Sequence, residues 1–276
     1  MFPRKESSMK VSKAGAVAAT IAVALTASGC AEDAKEPIAI GIKFDQPGIG
    51  FREQDGTFTG FDVDVATYVA KQLGYKANEI EFKQVFSSDR ELLIQYNEVD
   101  FVAASYSISD KRKEKVDFAG PYFIAHQDLL VRADDASVTK AEDLNSKKLC
   151  SVTGSTSAEK VKALAPKASV MELEGYSECL VAVQDGSADA MTTDNSILAG
   201  YAARKENAGK FKLIGLSLSN ENYGIGVKKG NKELQKKINA ALTKMVTDGS
   251  WEAAVKKNFG PANYKYEPAP MVTSGN

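Results

Sequence analysis

Short apolar runs alternate along the chain with segments whose apolar residues recur at helical spacing. The runs at 38–44, 79–85 and 101–105 have the length and composition of buried strands. Between the first two, residues 63–73 carry apolar side chains at intervals of three and four, and Gly74 provides a helix end. This alternation predicts an α/β fold in which sheets are flanked by helices.

The rest of the chain continues the same alternation. Further strands are predicted at 148–152, 170–173, 190–193 and 212–218. Further helices are predicted at 92–96 after a cap from Ser87, Ser88 or Asp89, and at 195–202, 232–246 and 250–258. The residues after Pro261 lack periodicity, so we expect a loose tail there, including 271–276.

The first 29 residues have the organisation of an export signal. Four basic residues precede an uncharged stretch at 14–29, which has the length of a signal-peptide core and is short for a membrane span. This leader holds four of the 35 basic residues and one of the 36 acidic ones. The exported chain therefore keeps 31 basic and 35 acidic side chains, a net charge of −4 that argues against a nucleic-acid partner.

Cysteine and histidine usage narrows the chemistry. Only Cys150 and Cys179 follow Cys30, and an even pair outside the cytosol favours a disulfide over a metal or redox site. Such a bond would join a strand to a nearby helix. The single histidine, His126, leaves little material for a zinc site or a catalytic triad. We expect it to be a partly buried turn residue, and we expect no metal or cofactor.

The segment after the predicted strand at 101–105 holds the strongest candidate site. Ser105 and Ser107 lie at its carboxyl end, and Arg112 follows in a charged segment at 111–115. Ligands of open α/β sheets bind outside the carboxyl ends of strands. Arginine binds a carboxylate through two parallel hydrogen bonds. Taken alone, however, a charge run of this kind is more typical of a solvated surface.

Five motifs in order resemble the amino-acid-binding family of solute-binding proteins that serve ABC importers. The longest is Ser105-x-Ser107-x-Ser109-x-x-Arg112-x-x-x-Val116-x-Phe118-Ala119, followed by Pro121-Tyr122-Phe123. The others are Gly60-Phe61-Asp62-Val63-Asp64, Gly154-Ser155-Thr156-Ser157, Ala188-Asp189-Ala190 with Asp194, and Tyr223-Gly224-Ile225-Gly226-Val227. The resemblance extends over 38–260. It is greatest to glutamate-binding lipoproteins, through residues 43–48 and 149–156.

The resemblance implies a two-lobed periplasmic-binding-protein-like fold of type II. One lobe would comprise 38–129 and 222–270, and the other 130–221, with two crossing segments near 127–132 and 219–224. Because both crossings are extended backbone, a few dihedral changes could close the lobes as a hinge.

The residues around Cys30 resemble a bacterial lipobox, Ala27-Ser28-Gly29-Cys30, although the family prefers leucine where Ala27 stands. This implies that Cys30 is lipidated and that 30–37 is a tether to the outer face of the cell membrane. The alternative is ordinary signal cleavage, with Cys30 an incidental thiol.

The resemblance also implies ligand-binding roles. Arg112 matches the arginine that binds the α-carboxylate of an amino acid, and Ser107 matches the hydroxyl that assists it. The Ser105 carbonyl and the carboxylate of Asp194 match acceptors for the α-ammonium group. In isolation, an aspartate at position 194 would be read as a cap for the helix at 195–202.

Ser155 and Thr156 match the part of the family's site that lies at a helix N-terminus. The turn Gly154-Ser155-Thr156-Ser157 is followed by a helix from about Ala158, and backbone N–H groups at such an end can bind an anion. A plain N-cap is the alternative, and the two roles are compatible.

Two further basic residues indicate which amino acid would bind. Lys43 and Arg90 match positions that are basic in binders of acidic amino acids, although each alone could be a solvated surface charge. Together they predict a second carboxylate on the ligand, hence glutamate or aspartate. Glutamine would leave a cation facing an uncharged amide, at a cost of about 1–3 kcal/mol.

The implied function is capture of an acidic amino acid by a monomer, and its delivery to an ABC permease without a reaction. One alternative is a binder of another polar amino acid such as glutamine. A second is a cyclohexadienyl dehydratase-like enzyme, which needs a general acid or base that only Asp194 could supply. A third is a sensor module, although sensors are usually joined to a spanning helix and no segment after Cys30 is apolar enough to be one.

Overall fold

The computed structural model describes residues 36–273, so the predicted signal sequence and Cys30 lie outside the described residues. The strands are β1 (Ile38–Ile42), β2 (Asp45–Gln46), β3 (Gly50–Arg52), β4 (Phe58–Thr59), β5 (Ile80–Gln84), β6 (Phe101–Val102), β7 (Val116–Arg132), β8 (Lys148–Val152), β9 (Ser169–Leu173), β10 (Ala190–Asp194), β11 (Phe211–Leu213) and β12 (Ser219–Lys228). The predicted mixture of strands and helices is confirmed.

The helices pack on these strands. They are α1 (Phe61–Gln72), α2 (Arg90–Gln95), α3 (Asp110–Lys113), α4 (Thr156–Leu164), α5 (Tyr176–Asp185), α6 (Asn195–Ala202), α7 (Lys232–Thr247) and α8 (Ser250–Phe259). Within 36–273, no helix combines the length and apolar composition that crossing a bilayer requires.

Two long strands form the centre of the sheet. The strand order is β5-β1-β6-β12-β7-β10-β8-β9, with β11 also paired to β7, and a separate small sheet contains β2, β3 and β4. The two segments predicted to cross between lobes are parts of β7 and β12. They pair antiparallel, with Gln127 opposite Ser219 and Phe123 opposite Tyr223. β5, β1 and β6 therefore lie on one side of this pair, and β10, β8 and β9 on the other.

The predicted strand at 212–218 is shorter in the structure, where β11 ends at Leu213. The backbone N–H groups of Gly215 and Leu216 instead donate to the buried carboxylate of Asp128, at 2.8–2.9 Å. A backbone donor bound to a side chain is not available to a strand partner, so the ladder stops at this point.

An aromatic cluster joins the last helix to the central strands. The ring of Phe61, at the start of α1, lies 5.1–6.1 Å from the rings of Phe123, Phe259 and Trp251. The indole N–H of Trp251 donates to the Tyr122 carbonyl at 2.7 Å, so this buried donor is satisfied. The cluster fixes α1 and α8 against β7, behind the segment that leads to Ser105.

The chain after Pro261 is packed, so the expectation of a loose tail is wrong up to Thr273. The hydroxyl of Tyr264 donates to Asn195 Oδ1 at 2.8 Å, and the Thr273 N–H donates to the Gly120 carbonyl at 3.1 Å. His126 Nε2 lies 2.7 Å from Glu267 Oε1. His126 is thus a half-buried residue of β7, not of a turn.

The predicted disulfide is confirmed. Cys150 in β8 and Cys179 in α5 are bonded, with 5.4 Å between their Cα atoms. The bond joins a strand to the helix that covers it, behind the residues at the end of β8.

Candidate functional site

A polar pocket lies where β5, β6, β8 and β10 reach their carboxyl ends. Seven of the eight predicted ligand-binding residues line it, namely Arg90, Ser105, Ser107, Arg112, Ser155, Thr156 and Asp194. The other lining residues are Ser87, Ser157, Tyr176, Thr193 and Ile197. The eighth predicted residue, Lys43, lies one layer behind.

Arg112 is buried within the charged segment that contains it. Its side chain is held by Nη1, which donates to the Ser107 carbonyl at 2.7 Å, and by Nη2, which donates to the Gly154 carbonyl at 2.9 Å. The residue is 7 % exposed, whereas the side chain of Lys111 is 72 % exposed. The solvated-surface interpretation is therefore wrong for Arg112. Its guanidinium links the segment after β6 to the loop before α4.

Tyr106 holds the two arginines of the pocket close together. The Cζ atoms of Arg90 and Arg112 lie 4.1 and 5.1 Å from the centroid of this fully buried ring. Burial and the nearby charge of Arg112 lower the pKa of Arg90 to about 10. Arg90 Nη1 donates to the Ala104 carbonyl at 2.9 Å, while its buried Nε has no hydrogen-bond partner among residues 36–273.

Lys43 contacts the pocket through Ser87. Its ammonium group donates to Ser87 Oγ at 3.0 Å, and the residue is 3 % exposed. Among the described residues, no carboxylate lies within 4.0 Å of Lys43 Nζ. Burial, together with the charge of Arg90, lowers the pKa of Lys43 to about 7.

Asp194 lines the pocket, and one of its carboxylate oxygens has no partner among the described residues. Oδ2 accepts a 2.5 Å hydrogen bond from the hydroxyl of Tyr223, but the buried Oδ1 has no partner within the described part of the chain. The side chain makes no capping bond to α6, so the capping interpretation does not hold. Burial and the charge of Glu221 raise the pKa of Asp194 to about 7, although the bond from Tyr223 opposes this shift.

The N-terminus of α4 faces the pocket. Ser155 is its N-cap, and Ser155 Oγ accepts from the Ala158 N–H at 3.0 Å. The Thr156 hydroxyl donates to Glu221 Oε2 at 2.9 Å, and Lys160 Nζ pairs with Glu221 Oε1 at 2.6 Å. The hydroxyls of Ser155 and Thr156 are therefore engaged. The first backbone N–H groups of a helix have no partner within the helix, so those of α4 can bind an anion.

The lining residues that sequence reasoning missed differ in how visible they were. Thr193 directly precedes Asp194, and Ser157 belongs to the Gly-Ser-Thr-Ser turn, so adjacency to a predicted residue was a usable signal. Tyr176 enters from the start of α5, and no motif points to it. No group of three or more His, Cys, Asp or Glu residues suited to a metal ion occurs within 36–273.

Opposite charges therefore line one small pocket. Arg90 and Arg112 supply positive charge, the α4 N-terminus adds backbone N–H groups, and Asp194 offers an acceptor oxygen. Such a set can bind a small zwitterion through charge-assisted hydrogen bonds.

The fold and this pocket define a two-lobed binding protein of mixed α/β architecture. A family model matches residues 38–261, and the chain belongs to the bacterial extracellular solute-binding proteins, family 3. The family resemblance drawn from the five motifs is thereby confirmed.

Individual relatives cover most of the chain. It is 45 % identical over 233 residues to the glutamate-binding protein GluB of Corynebacterium efficiens, which covers 81 % of this chain and 79 % of that protein. It is 38 % identical over 224 residues to the ABC transporter glutamine-binding protein GlnH of Bacillus subtilis, covering 80 % and 81 %. Among solved structures, an ancestral arginine-binding protein bound to arginine matches with a TM-score of 0.76 and 37 % identity, over 82 % of this chain and 99 % of that one.

Proposed function

We propose that this protein captures glutamate, or aspartate, outside the cytoplasm and delivers it to an ABC import permease. The observation that carries the proposal is a pair of unpartnered buried atoms on the same pocket, Asp194 Oδ1 and Arg90 Nε. Buried polar atoms without partners are rare and costly in proteins, because water no longer compensates them. An acceptor and a donor left open together suit a ligand that carries both an ammonium and a carboxylate group.

The charges of the site match an acidic amino acid. Arg112 and the α4 N-terminus would bind the α-carboxylate, and Asp194 the α-ammonium. Arg90, with Lys43 behind Ser87, would face the second carboxylate. Two relatives named as glutamate-binding proteins, at 45 % and 44 % identity, support the same ligand.

Glutamine is the second candidate ligand, since a relative at 38 % identity is named as a glutamine-binding protein. An amide would leave the cations of Arg90 and Lys43 facing an uncharged group. This costs on the order of 1–3 kcal/mol, or roughly tenfold or more in affinity.

Capture would proceed by closure of two lobes, 38–129 with 222–270 and 130–221. Contacts between these ranges support a closed arrangement, including the Arg112 bond to the Gly154 carbonyl and the Lys111–Glu159 ion pair. The paired strands β7 and β12 would carry the hinge, since both pass between the two ranges.

We expect the captured amino acid to leave unchanged. Asp194 is the group in the pocket with a pKa suited to proton transfer near neutral pH. In the proposal its free oxygen is bound to the ligand ammonium. Incubation with prephenate or arogenate, followed by product absorbance, tests the dehydratase alternative, and turnover would refute a pure binding role.

Lipidation of Cys30 would anchor the protein to the outer face of the cell membrane. We further propose that the protein is a monomer. Mass spectrometry of the mature N-terminal peptide tests the lipidation, with a Cys30→Ala variant as the control. A mature chain with an unmodified Cys30, or one cleaved elsewhere, would contradict the anchor. Light scattering of the exported domain tests the monomer.

Isothermal titration with glutamate, aspartate, glutamine and arginine tests the ligand assignment. Arg112→Ala is expected to abolish binding of every amino acid, whereas Arg90→Ala is expected to reduce glutamate affinity much more than glutamine affinity. Arg52→Ala, at an exposed arginine of β3, is the matched control and should bind normally. Tight binding of glutamine or arginine with no heat from glutamate would overturn the proposal.

A further inference from the structure

The Gly60-Phe61-Asp62-Val63-Asp64 motif contains a buried carboxylate outside the pocket. Asp62, in the first turn of α1, is 0 % exposed. Its Oδ2 accepts from the Ser105 N–H at 2.6 Å, and its Oδ1 accepts from the Tyr122 hydroxyl at 2.6 Å. No lysine or arginine nitrogen lies within 4.0 Å of this carboxylate in the described part of the chain. One of its two bonds is thus made to the backbone of a pocket residue.

The same peptide unit is held from both ends. The Ser105 N–H donates to Asp62, and the carbonyl of that peptide, Ala104 C=O, accepts from Arg90 Nη1 at 2.9 Å. The peptide thus lies between an anion and a cation, and each charge polarises it so that the other bond is strengthened. Asp62 therefore influences the guanidinium of Arg90 without touching it.

Ser105 has a backbone conformation that serine rarely adopts. Its φ is +41°, in the left-handed region that favours glycine. Its hydroxyl donates to Gln46 Oε1 at 2.9 Å, and Gln46 is 1 % exposed. Asp62 holds the peptide that precedes the Ser105 Cα, and Gln46 holds the Ser105 side chain. Together these two contacts stabilise a positive φ that is unfavourable for serine.

We infer that Asp62 is a positioning residue of the ligand site, which holds Ser105 in its left-handed conformation and orients Arg90 through the 104–105 peptide. Burial raises the pKa of Asp62 to about 6, against the bonds from Tyr122 and Ser105 and the charges of Arg90 and Lys43. The inference rests on the proposed function only where ligand affinity is the readout.

A double-mutant cycle tests whether Asp62 acts through the Ser105 backbone. Asp62→Ala should weaken glutamate binding roughly 10- to 100-fold, as expected for loss of a hydrogen bond to a charged group. In a Ser105→Gly background the same change should cost only about threefold, because glycine adopts positive φ without strain. Equal losses in the two backgrounds would overturn the role of Asp62 in holding the φ of Ser105, and no loss in either would overturn the whole inference.

Asp64→Ala is the matched control, since Asp64 is a carboxylate of the same turn that binds Lys257 and Asn258 at 2.7–3.0 Å, away from the pocket. It should leave glutamate affinity within about twofold of the unaltered protein, because exposed ion pairs contribute little.

Asp62→Asn is the conservative variant. Its amide oxygen can still accept from the Ser105 N–H, so it should bind more tightly than Asp62→Ala, and failure to do so would count against the inference.

Hydrogen exchange of the Ser105 amide separates this inference from the proposed function. In the ligand-free protein, Asp62→Asn should speed exchange at residue 105 about tenfold, because a charge-assisted bond becomes a neutral one. This readout needs no ligand, and it uses Asp62→Asn, so it stands even where Asp62→Ala does not fold. Unchanged exchange would overturn the positioning role alone, whereas an unaltered protein that binds no amino acid would overturn the proposed function alone.

Discussion

Tyr223 and Asp194 share a 2.5 Å hydrogen bond in which the phenol donates to Oδ2. Both residues are buried, and the bond occupies one of the two carboxylate oxygens of a residue that lines the pocket. Oδ1, which has no partner within 36–273, is left for the ammonium group of the proposed ligand. The phenol also stabilises the ionised form of Asp194, the form that an ammonium group requires.

Tyr223→Phe is therefore expected to weaken glutamate binding by about tenfold, the effect of losing one hydrogen bond to a charged group. Isothermal titration at neutral pH measures the change. Tyr96→Phe, at a residue that is 72 % exposed, should have no effect and serves as the control. Equal affinity in Tyr223→Phe and the unaltered protein would mean that Asp194 does not depend on this bond.

Glutamate affinity is expected to pass through a maximum near pH 7. The pKa of Asp194 is raised to about 7, so at lower pH this carboxyl becomes protonated and must lose a proton before it binds an ammonium group. The pKa of Lys43 is lowered to about 7, so at higher pH this amine loses the charge that faces a second carboxylate. Dissociation constants measured from pH 5.5 to 9 should rise on both sides, by up to about tenfold per pH unit.

Two variants test which group causes the loss of affinity on each side of the maximum. Lys43→Met should remove the loss of glutamate affinity at high pH. Asp194→Asn should remove the loss at low pH, while weakening binding at every pH. The charges that face these groups are Glu221, Lys160 and Arg112 around Asp194, and Arg90, Asp45, Asp89 and Arg112 around Lys43. A flat profile in the unaltered protein would show that neither group titrates in this range.

Much of the fold followed from local pattern. The periodicity of 63–73 with Gly74 placed α1 within two residues of its bounds, and α6 was predicted with the bounds it has. The central strand β7 was missed over most of its length. It is buried on both faces, so it shows no alternation, and it contains Pro121, which normally argues against a strand.

The residue types of the site were also predictable, but their surroundings were not. Motif order predicted that Arg112, Ser155 and Asp194 share one pocket, because Asp194 ends a strand and the other two follow one. The burial of Arg112 against Tyr106, and the place of Lys43 behind Ser87, depend on packing between segments far apart in sequence. The hydrophobic periodicity of the sequence carries no information about such contacts.

Gly154→Ala is expected to block the closed arrangement. An alanine Cβ would lie 2.8 Å from Ser88 Cα and 3.0 Å from the Ser87 carbonyl carbon, which are backbone atoms that cannot rotate away. The φ of +75° adds strain of about 1–2 kcal/mol. Glutamate binding should weaken at least tenfold, as measured by titration, and small-angle scattering should show a more extended protein in the presence of glutamate.

Gly186→Ala is the control for backbone strain. Its φ is +84°, close to that of Gly154, but no heavy atom lies within 4 Å of the added Cβ. This variant should lose similar thermal stability and keep its glutamate affinity. If glutamate binding weakens in both variants, the cause is backbone strain and not the contact between residue 154 and the Ser87–Ser88 backbone.

Loss of the Cys150–Cys179 disulfide is expected to reduce stability more than ligand affinity. The two cysteines are 29 residues apart, and closing a loop of this length stabilises the folded state by about 3–4 kcal/mol in the chain-entropy account. The bond lies behind the end of β8, and neither cysteine lines the pocket. The double variant Cys150→Ala, Cys179→Ala should therefore unfold at a lower denaturant concentration than the oxidised protein, while its glutamate affinity changes by less than about threefold.

Reduction of the unaltered protein should lower its unfolding midpoint in the same way, and reduction of the double variant should change nothing. A large loss of affinity at unchanged stability would instead show that the disulfide shapes the pocket through Ser151 and Ser155, which follow Cys150 in the chain.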